Sequence, residues 1–508
     1  MLFLLVMGWV ASSASAMDLD WGGQFRTEAH WLNNPTMTNT YNADPDRVGK
    51  GGYYIPGTGS NWAIFQPVFL RLKPKVIVND NISIKSEFWV GDPIYGVYGS
   101  GVPYGRDQRG FNSTYNRGST ISAQRFWGEY VSDIGTVQLG RAPMHWGLGL
   151  VWNNGDGLWD RYQSTGDTVR MVSKFGAFSF VPSYVKYSIG NSLSGSCLPT
   201  SPLGGCTSVG YNPTVSDYSV AIKYENLDEE LEGGVNFIRR IAGAAQDPNG
   251  GLLGYGDTKW ASGDSAGRAV SMRYNTFDLF ARRKFSFVTL GAEVPIVMGM
   301  LGEKEYKTAA GALESQFKIG SAWEAFLKGG LAPGQPSGGS LDPNRWHAFY
   351  FNPNYRVALI MFNYQLANLG GPNTLNNPVN SASTLRSPYD NPITNAAYLN
   401  WGGSFRTDKW NFHTNWALAT ARETANGQGY FFNTWTRQNV ANAGGQKQES
   451  WLGWEMDYGA TFHWDESFVF GGDFGFFFPG SYYRFSNTSK QNAVGFVFAS
   501  VIKAGVNF

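Results

Sequence analysis

The chain has 508 residues, with 40 Lys and Arg against 39 Asp and Glu, 16% aromatic residues and 64 glycines. Its charged fraction of 16% is low beside the ~25% of average proteins, and its apolar fraction of 42% argues against a disordered chain. The balanced charge supplies no overall field for nucleic acid, which excludes nucleic-acid binding as the main function.

The first segment, MLFLLVMGWVASSASA, is predicted to be a secretory signal over residues 1–16. Its apolar run is too short to span a bilayer, and it ends in the A-x-A pattern of a cleavage site. The remaining residues, 17–508, are expected to form one domain. No Lys or Arg precedes the apolar run, so a start upstream of Met1 stays open, and a buried N-terminal helix is the alternative.

A strict alternation follows in LDWGGQFRTEAHW, from Leu19 to Trp31. The odd positions carry no charge and include Trp21, whereas the even positions include Arg26 and Glu28. Successive side chains of a strand point to opposite faces, so this pattern predicts a strand with one apolar, tryptophan-rich face and one ionic face.

The same alternation recurs along the chain. Residues 68–76 and 82–90 are separated only by the turn Asn79-Asp80-Asn81 and are predicted to form a hairpin. The pieces at Asp167–Phe175 and Trp346–Asn352 are weaker candidates for strands. Further alternating stretches lie at residues 125–130, 218–225, 313–319, 323–328 and 452–458.

Long polar connections alternate with turns of a few residues. In hydrocarbon every backbone polar group must be paired within the protein, so a membrane-spanning sheet has to close into a barrel. Tight turns at one end and long loops at the other are typical of outer-membrane barrels. The long connections are residues 34–61, 92–118, 190–216, 242–266, 369–395 and 424–448.

The final segment, AVGFVFASVIKAGVNF, places apolar residues on one face and ends at Phe508. It resembles the last strand of bacterial outer-membrane barrels, which ends in an aromatic residue read by the barrel assembly machinery. An ordinary edge strand is the alternative. The resemblance implies the outer membrane of a Gram-negative bacterium, with outer-membrane lipid and lipopolysaccharide as surroundings.

The predicted fold class is all-β: a single transmembrane antiparallel up-and-down barrel of 18 strands, within a range of 16 to 20, with long extracellular loops and short periplasmic turns. A barrel of this size is too wide for side chains to fill and generally encloses an aqueous channel. Size therefore points to transport.

The charged faces of the predicted strands supply candidate pore-lining residues. Both signs are interspersed, which favours weak ion selectivity because strong selectivity comes from rings of one sign. Trp89 and Trp127 are also predicted to point inward. The predicted pore-lining residues are Arg26, Glu28, Arg71, Lys73, Lys85, Glu87, Arg125, Glu129, Arg141, Lys223, Glu225, Glu314, Lys318, Glu455, Asp457 and Lys503.

No catalytic or metal-binding motif is found, and neither an enzyme nor a resident cofactor is expected. The five histidines are far apart and show no H-x-x-x-H pairing. Cys197 and Cys206 share one loop and are predicted to form a disulfide, two unpaired thiols being the alternative. Residues 153–167 carry acidic and amide oxygens that would suit Ca²⁺, but without the spacing of a calcium loop, so a solvated connection is preferred.

Two stretches carry a narrower resemblance. LGRAPMHWGLGLVWNN, residues 139–154, is similar to the G-R-x-P-x-x-W-G-x-G strand end of alginate-export-like and related porin-type barrels, and FNPNYRVALIMF, residues 351–362, is similar to one of their strands. The resemblance implies passage of a polar solute or polysaccharide through a single barrel. Alginate exporters hold an anionic polymer at arginines, and only Arg141 and Arg170 match loosely here.

The leading functional hypothesis is a porin that passes small hydrophilic solutes by diffusion, with one or more long loops folded inward to set the size limit. A substrate-specific channel for a sugar or an anionic polysaccharide is the second. A structural or adhesive surface barrel is the third. A monomer and a homotrimer are both left open.

Overall fold

The computed structural model describes residues 18–37, 62–91, 121–187, 215–245, 270–301, 304–336, 345–364, 366–367, 369–371, 392–434 and 438–508. The predicted signal segment and both cysteines, Cys197 and Cys206, lie outside these residues and stay predictions. Among the described residues, no helix combines the length and the apolar character needed to cross a membrane.

Eighteen antiparallel strands form one closed barrel, which confirms the predicted fold class and strand number. Three short strands in the long connections, Trp62–Phe65, Lys304–Ala309 and Arg345–Trp346, belong to the same sheet. Each strand pairs with its neighbours in chain order, as expected of an up-and-down barrel. In chain order the strands are β1 Asp18–Asn33, β2 Val68–Asn79, β3 Ile82–Val90, β4 Ile121–Ser132, β5 Gly135–Pro143, β6 Thr165–Phe175, β7 Phe178–Tyr187, β8 Val215–Asn226, β9 Leu231–Ala245, β10 Val270–Lys284, β11 Val288–Leu301, β12 Gly311–Ile319, β13 Trp323–Ala332, β14 Ala396–Arg406, β15 Trp410–Ala421, β16 Trp451–His463, β17 Phe468–Pro479 and β18 Val497–Asn507.

The last strand closes the barrel against the first. β18 pairs with β1 from Gln24 opposite Asn507 to Asn33 opposite Phe498. Beyond the strand, the Phe508 amide donates to the Gly23 carbonyl over 3.0 Å, and the Gly23 amide donates back over 2.7 Å. A Cβ on Gly23 would lie 2.5 Å from the Phe508 ring, so a glycine is needed where the terminal ring crosses the first strand.

The connections alternate strictly in length. The β2–β3 turn is representative: the Asn79 side chain accepts hydrogen bonds from the Asn81 and Ile82 amides at 2.9 and 2.8 Å. An asparagine side chain that bonds the backbone two residues on is a standard device of tight turns. All the short turns lie at one end of the barrel, together with the start of β1 and the end of β18. The long connections lie at the other end, which confirms the predicted asymmetry.

The outer face is apolar and aromatic. Trp21 and Phe126 are 57% and 59% exposed, although both are large apolar residues. A row of stacked rings also crosses three neighbouring strands, with centroids 6.2 Å apart for Trp401 and Trp416 and 6.4 Å apart for Trp416 and Trp454. Trp is enriched where lipid headgroups meet the apolar band, because its ring has an apolar body and a polar edge. The outer face therefore suits a bilayer and not water.

Two long connections turn into the lumen. The first inward segment, residues 144–164, joins β5 to β6, and the second inward segment, residues 347–364, belongs to the connection between β13 and β14. The strand predicted at residues 351–362 is wrong: this stretch forms no strand, and the amides of Leu359, Ile360 and Met361 bond to side chains of the wall. Of the candidate strand Trp346–Asn352, Trp346 pairs within the two-residue strand Arg345–Trp346, and Tyr350 forms an isolated bridge with Thr394.

Candidate functional site

All but one of the predicted pore-lining side chains lie on the inner face. The strand registers place inward side chains of neighbouring strands opposite each other: Glu28 is opposite Lys503, and Glu87 is opposite Arg125. Trp89 and Trp127 also point inward, where their indole nitrogens donate to Glu87 at 2.6 Å and to Glu129 at 2.8 Å. The residues placed inward are Arg26, Glu28, Arg71, Lys73, Lys85, Glu87, Arg125, Glu129, Lys223, Glu225, Glu314, Lys318, Glu455, Asp457 and Lys503.

Arg141 is the exception, because it lies on the outer face. It is opposite Phe126 on β4 and Asp167 on β6, and Leu139, two residues earlier, is 53% exposed. Side chains two apart in a strand share a face, so Arg141 points outward with Leu139. Its Nε bonds to the Asp167 carboxylate at 2.8 Å, near the long-connection end of these strands. The prediction from the resemblance to an arginine-lined constriction is therefore wrong at Arg141, whereas Arg170 does point inward, toward Gln138.

The first inward segment docks on the inner wall formed by β1 to β4. The Asp156 carboxylate lies 2.8 Å from Arg125 Nη1 and 3.2 Å from Lys73 Nζ. Arg26 Nη1 donates to the carbonyl oxygens of Leu158 and Asp160 at 2.5 and 2.7 Å. Backbone carbonyls and one carboxylate of the segment thus meet a row of inward cations.

The cations of this wall are buried yet paired. Arg71 and Arg125 are 1% and 2% exposed, and both approach Glu87, with nitrogen to oxygen distances of 3.5 and 2.9 Å. A buried charge is tolerated when it is paired and hydrogen-bonded. The two arginines and Glu87 leave one positive charge, which Asp156 of the inward segment balances.

Asp156 stays ionised at neutral pH. Burial alone would raise the pKa of its carboxyl, but Arg125 and Lys73 outweigh burial and hold that pKa below its ordinary value. A carboxyl with a lowered pKa contributes its ion pairs at neutral pH and loses them only as the pH falls through that lowered value. The contact between this segment and the wall is therefore intact under ordinary conditions.

The other end of the first inward segment docks on the opposite wall. Glu293 of β11 accepts hydrogen bonds from the amides of Leu148 and Leu150, the second at 3.1 Å. Gly147 has a φ of 57°, and a Cβ there would lie 2.6 Å from the Glu293 carboxylate, so this close approach needs glycine. Because one end meets β1–β4 and the other meets β11, the segment crosses the lumen.

The second inward segment is held by a carboxylate pair on β16. Glu455 accepts hydrogen bonds from the amides of Ile360 and Met361, each at 2.6 Å, and Asp457 accepts one from the Leu359 amide at 3.0 Å. Three consecutive amides that would otherwise pair in a strand ladder are thus satisfied by side chains of the wall. Glu455 is fully buried beneath the segment.

The two inward segments also bind each other. The Asn354 carboxamide donates to the Tyr162 carbonyl at 2.6 Å, and the Asn352 amide donates to the Leu150 carbonyl at 2.7 Å. Arg356 Nη2 donates to the Trp159 carbonyl at 3.0 Å. Together the segments form one layer across the lumen, and we refer to it as the constriction layer.

Two tyrosines of the second segment complete its docking on the wall. Tyr355 donates to Glu314 at 3.0 Å, and burial together with Tyr398 and Glu314 raises the pKa of Tyr355, so its hydroxyl stays protonated. Tyr364 lies 2.7 Å from His30 Nδ1, whose other ring nitrogen lies 3.0 Å from Glu28. Glu28 therefore connects to both segments, since Arg161 of the first also bonds to it.

Two cavities flank the constriction layer. One of about 360 Å³ lies on the side of the long connections, between the wall from β7 to β11 and both inward segments. The other, of about 860 Å³, lies on the short-turn side. Its walls carry both signs of charge, including Lys328 and Lys503 beside Glu314 and Asp473. The mixed lumen predicted from the sequence is thus present on this side.

The acidic residues of the predicted calcium stretch, residues 153–167, do not converge. Asp156 bonds to Arg125 and Lys73, Asp160 accepts from the Gly157 amide at 2.8 Å, and Asp167 lies on the outer face with Arg141. Within the described parts of the chain, no group of three or more His, Cys, Asp and Glu is placed to hold a metal ion.

Several residues of the constriction layer were not singled out in the sequence. Glu293 is the only charged residue of β11, and Asp278 is the only acidic residue of β10, which could have marked both as unusual inner positions. Asp278 lies on the same inner wall as Glu293, on the neighbouring strand. Asn354 and Arg161 gave no comparable signal, because both lie in polar connections.

No family model matches this chain, and neither does any curated protein. Solved structures of similar overall shape include OccK9 (OpdG) of Pseudomonas aeruginosa, with a TM-score of 0.48, 8% identity, and coverage of 97% of this chain and 99% of that one. A BenF-like porin from Pseudomonas fluorescens Pf-5 has a TM-score of 0.47 and 8% identity, with coverage of 97% of this chain and 99% of that one. OprD from Pseudomonas aeruginosa has a TM-score of 0.45 and 7% identity, with coverage of 98% of this chain and 96% of that one. The architecture described above rests on the strand pairing of this chain.

Proposed function

We propose that this protein is an outer-membrane porin through which small hydrophilic solutes and ions diffuse passively, past the constriction layer. The observation that carries the proposal is an 18-stranded closed barrel with an apolar outer face and a lumen of mixed charge, in which inward segments narrow but do not fill the interior. Barrels of 16–18 strands generally enclose aqueous channels. The proposal is for transport without catalysis.

The inner walls support weak ion selectivity. Lys85 and Glu129 are 2.8 Å apart, Lys223 and Glu232 are 2.9 Å apart, and neither sign forms a ring around the described lumen. Strong selectivity requires a ring of one sign. Cations and anions should therefore both pass, with permeabilities that differ by a small factor.

The test is conduction by the folded protein in planar bilayers. We expect stable, ohmic current steps in KCl and a reversal potential close to zero in a salt gradient. Liposomes that contain the protein should also swell when they are placed in a solution of a small polyol, because the polyol enters through the channel. Folding is checked independently by the heat-sensitive migration of the barrel in a gel. Protein that inserts and stays folded, but gives neither current steps nor swelling, would contradict the porin proposal.

Lipopolysaccharide is the lipid partner that the outer face supports best. Lys186, Arg239 and Arg273 are exposed on the outer face near the long connections, and none has an ion-pair partner among the described residues. Just below Arg239, Val235 and Phe237 begin the apolar face of β9. Cations at this level suit the phosphate groups of an outer leaflet, each worth about 1 kcal/mol near an anionic surface.

Replacing Arg239 and Arg273 with Gln should lower the affinity for lipopolysaccharide about fivefold per residue. The measurement is the amount of lipopolysaccharide retained by the purified barrel as it is titrated in detergent. Arg283→Gln is the matched control, because Arg283 lies on the same strand and face as Arg273 but at the short-turn end. Equal retention by the double variant and the control would argue against this lipid site.

Recognition of Phe508 by the assembly machinery stays a prediction, as does the oligomeric state. The adhesive alternative would act through the long connections, most of which lie outside the described residues. The inner walls described above add no argument for adhesion. The substrate-specific alternative is favoured by one observation, the composition of the cavity of about 360 Å³.

A further inference from the structure

The cavity on the long-connection side has the size and walls of a small-molecule site. Its volume of about 360 Å³ lies within the range of ~300–1,000 Å³ typical of ligand pockets. Tyr187, Tyr274 and Tyr306 line it from the barrel wall, Trp152 from the first inward segment and Phe351 from the second. A solute that enters this cavity would meet an aromatic surface.

The single charge in the described lining of this cavity is neutralised by a buried acid behind it. Arg240 is the one charged side chain that lines it, and its Nε and Nη2 bond to the two oxygens of Asp217 at 2.8 and 2.7 Å. Asp217 is fully buried and also accepts from the Tyr187 hydroxyl at 2.8 Å. The guanidinium is therefore neutralised by the protein itself, so an anionic ligand finds no cation in need of a partner and a cationic ligand finds no acid.

Two polar atoms in the lining are left without a hydrogen-bond partner among the described residues. They are the Trp152 indole nitrogen, a donor, and the Gln163 side-chain oxygen, an acceptor. Trp152 is only 8% exposed, and both residues line the cavity. Both atoms have almost no exposed surface, so a ligand pairs with them only after the side chains turn toward the cavity. A buried donor or acceptor without a partner costs about 1–3 kcal/mol, and relief of that cost favours the pairing.

We propose that this cavity binds an uncharged polyhydroxylated ring of monosaccharide size. A hydroxyl group can accept from Trp152 and donate to Gln163, which no apolar ligand can do, while the C–H faces of such a ring pack against aromatic side chains. A carboxylate-bearing aromatic compound fits less well, because its charge would lack a free cation. The inference rests on the proposed function in placing the site on the solute path, and it names the class of solute.

The test uses the full-length barrel and three probes of one size: glucose, gluconate and glucosamine. Binding is measured in detergent by calorimetry and, separately, as block of the ionic current in planar bilayers. We expect saturable binding and block by glucose, and weaker effects from the charged probes. Trp152→Phe keeps the aromatic surface and removes the donor, so glucose affinity should fall about 5–10-fold. Trp454→Phe on the outer face should leave the affinity unchanged.

The outcomes separate the two proposals. Steady conduction with no glucose binding overturns the sugar site and leaves the porin in place. Saturable glucose binding without conduction overturns the porin and supports the site. Tighter binding of gluconate or glucosamine than of glucose overturns the assignment of an uncharged ligand, and equal affinities of the wild-type protein and the folded Trp152→Phe variant overturn the assignment of the donor.

Discussion

Glu455→Gln is expected to release the second inward segment and to raise single-channel conductance, with larger current noise. Glu455 holds the amides of Ile360 and Met361 with one oxygen each, at 2.6 Å. Glutamine has the same size, but its amide group turns one acceptor into a donor that faces an N–H group. An amide donor left buried without an acceptor costs about 1–3 kcal/mol. Loss of one such bond should therefore lower the docked population of the segment about 5–150-fold.

The measurement is single-channel recording in planar bilayers, together with limited proteolysis of the inward segment in intact liposomes. Glu225→Gln is the matched control. Glu225 also lies on the inner wall, but its described ion pair is with Lys223 of its own strand, at 4.0 Å, and not with an inward segment. If Glu455→Gln conducts with the same amplitude and noise as Glu225→Gln, the carboxylate does not hold the segment in place.

The barrel itself could be predicted from the sequence with good precision. The strict alternation of residues 19–31 predicts which face of the sheet each side chain lies on, because successive side chains of a strand point to opposite faces. The same rule placed residues such as Arg71 and Glu87 inside the barrel. Each of these assignments depends only on neighbours within one strand, and an alternation between neighbouring residues can be recognised from the sequence alone.

The constriction layer could not be predicted in the same way. Its contacts join residues far apart in the chain, such as Glu293 with Leu150 or Glu455 with Ile360, and its backbone is satisfied by side chains without a ladder. The sequence of such a segment shows no regular alternation of apolar and polar residues. A polar connection that docks inside a barrel therefore has the same composition as one exposed to water. Arg141 was misplaced for a related reason, since its assignment came from a resemblance and not from the alternation of its own strand.

Glu28→Met is expected to cause the largest loss of stability of any single change considered. Glu28 is 3% exposed and lies beside Arg161 of the first inward segment, with Arg26 at 3.5 Å and His30 at 3.0 Å. Removal of one partner from a buried ion pair costs about 3–5 kcal/mol, because the remaining charge is left buried and uncompensated. The measurement is the free energy of unfolding of the barrel in urea, with Glu466→Gln in an exposed turn as the control.

The double variant Glu28→Met/Arg161→Met distinguishes a buried ion pair from simple packing. If the cost of the single change comes from the unpaired arginine, removing that arginine as well should recover part of the lost stability, and the double variant should be more stable than Glu28→Met alone. A strictly additive loss would contradict the pairing. Because Glu28 also reaches Tyr364 through His30, the double variant should bind both inward segments less firmly. We therefore expect it to conduct more than the wild-type protein even where its stability is recovered.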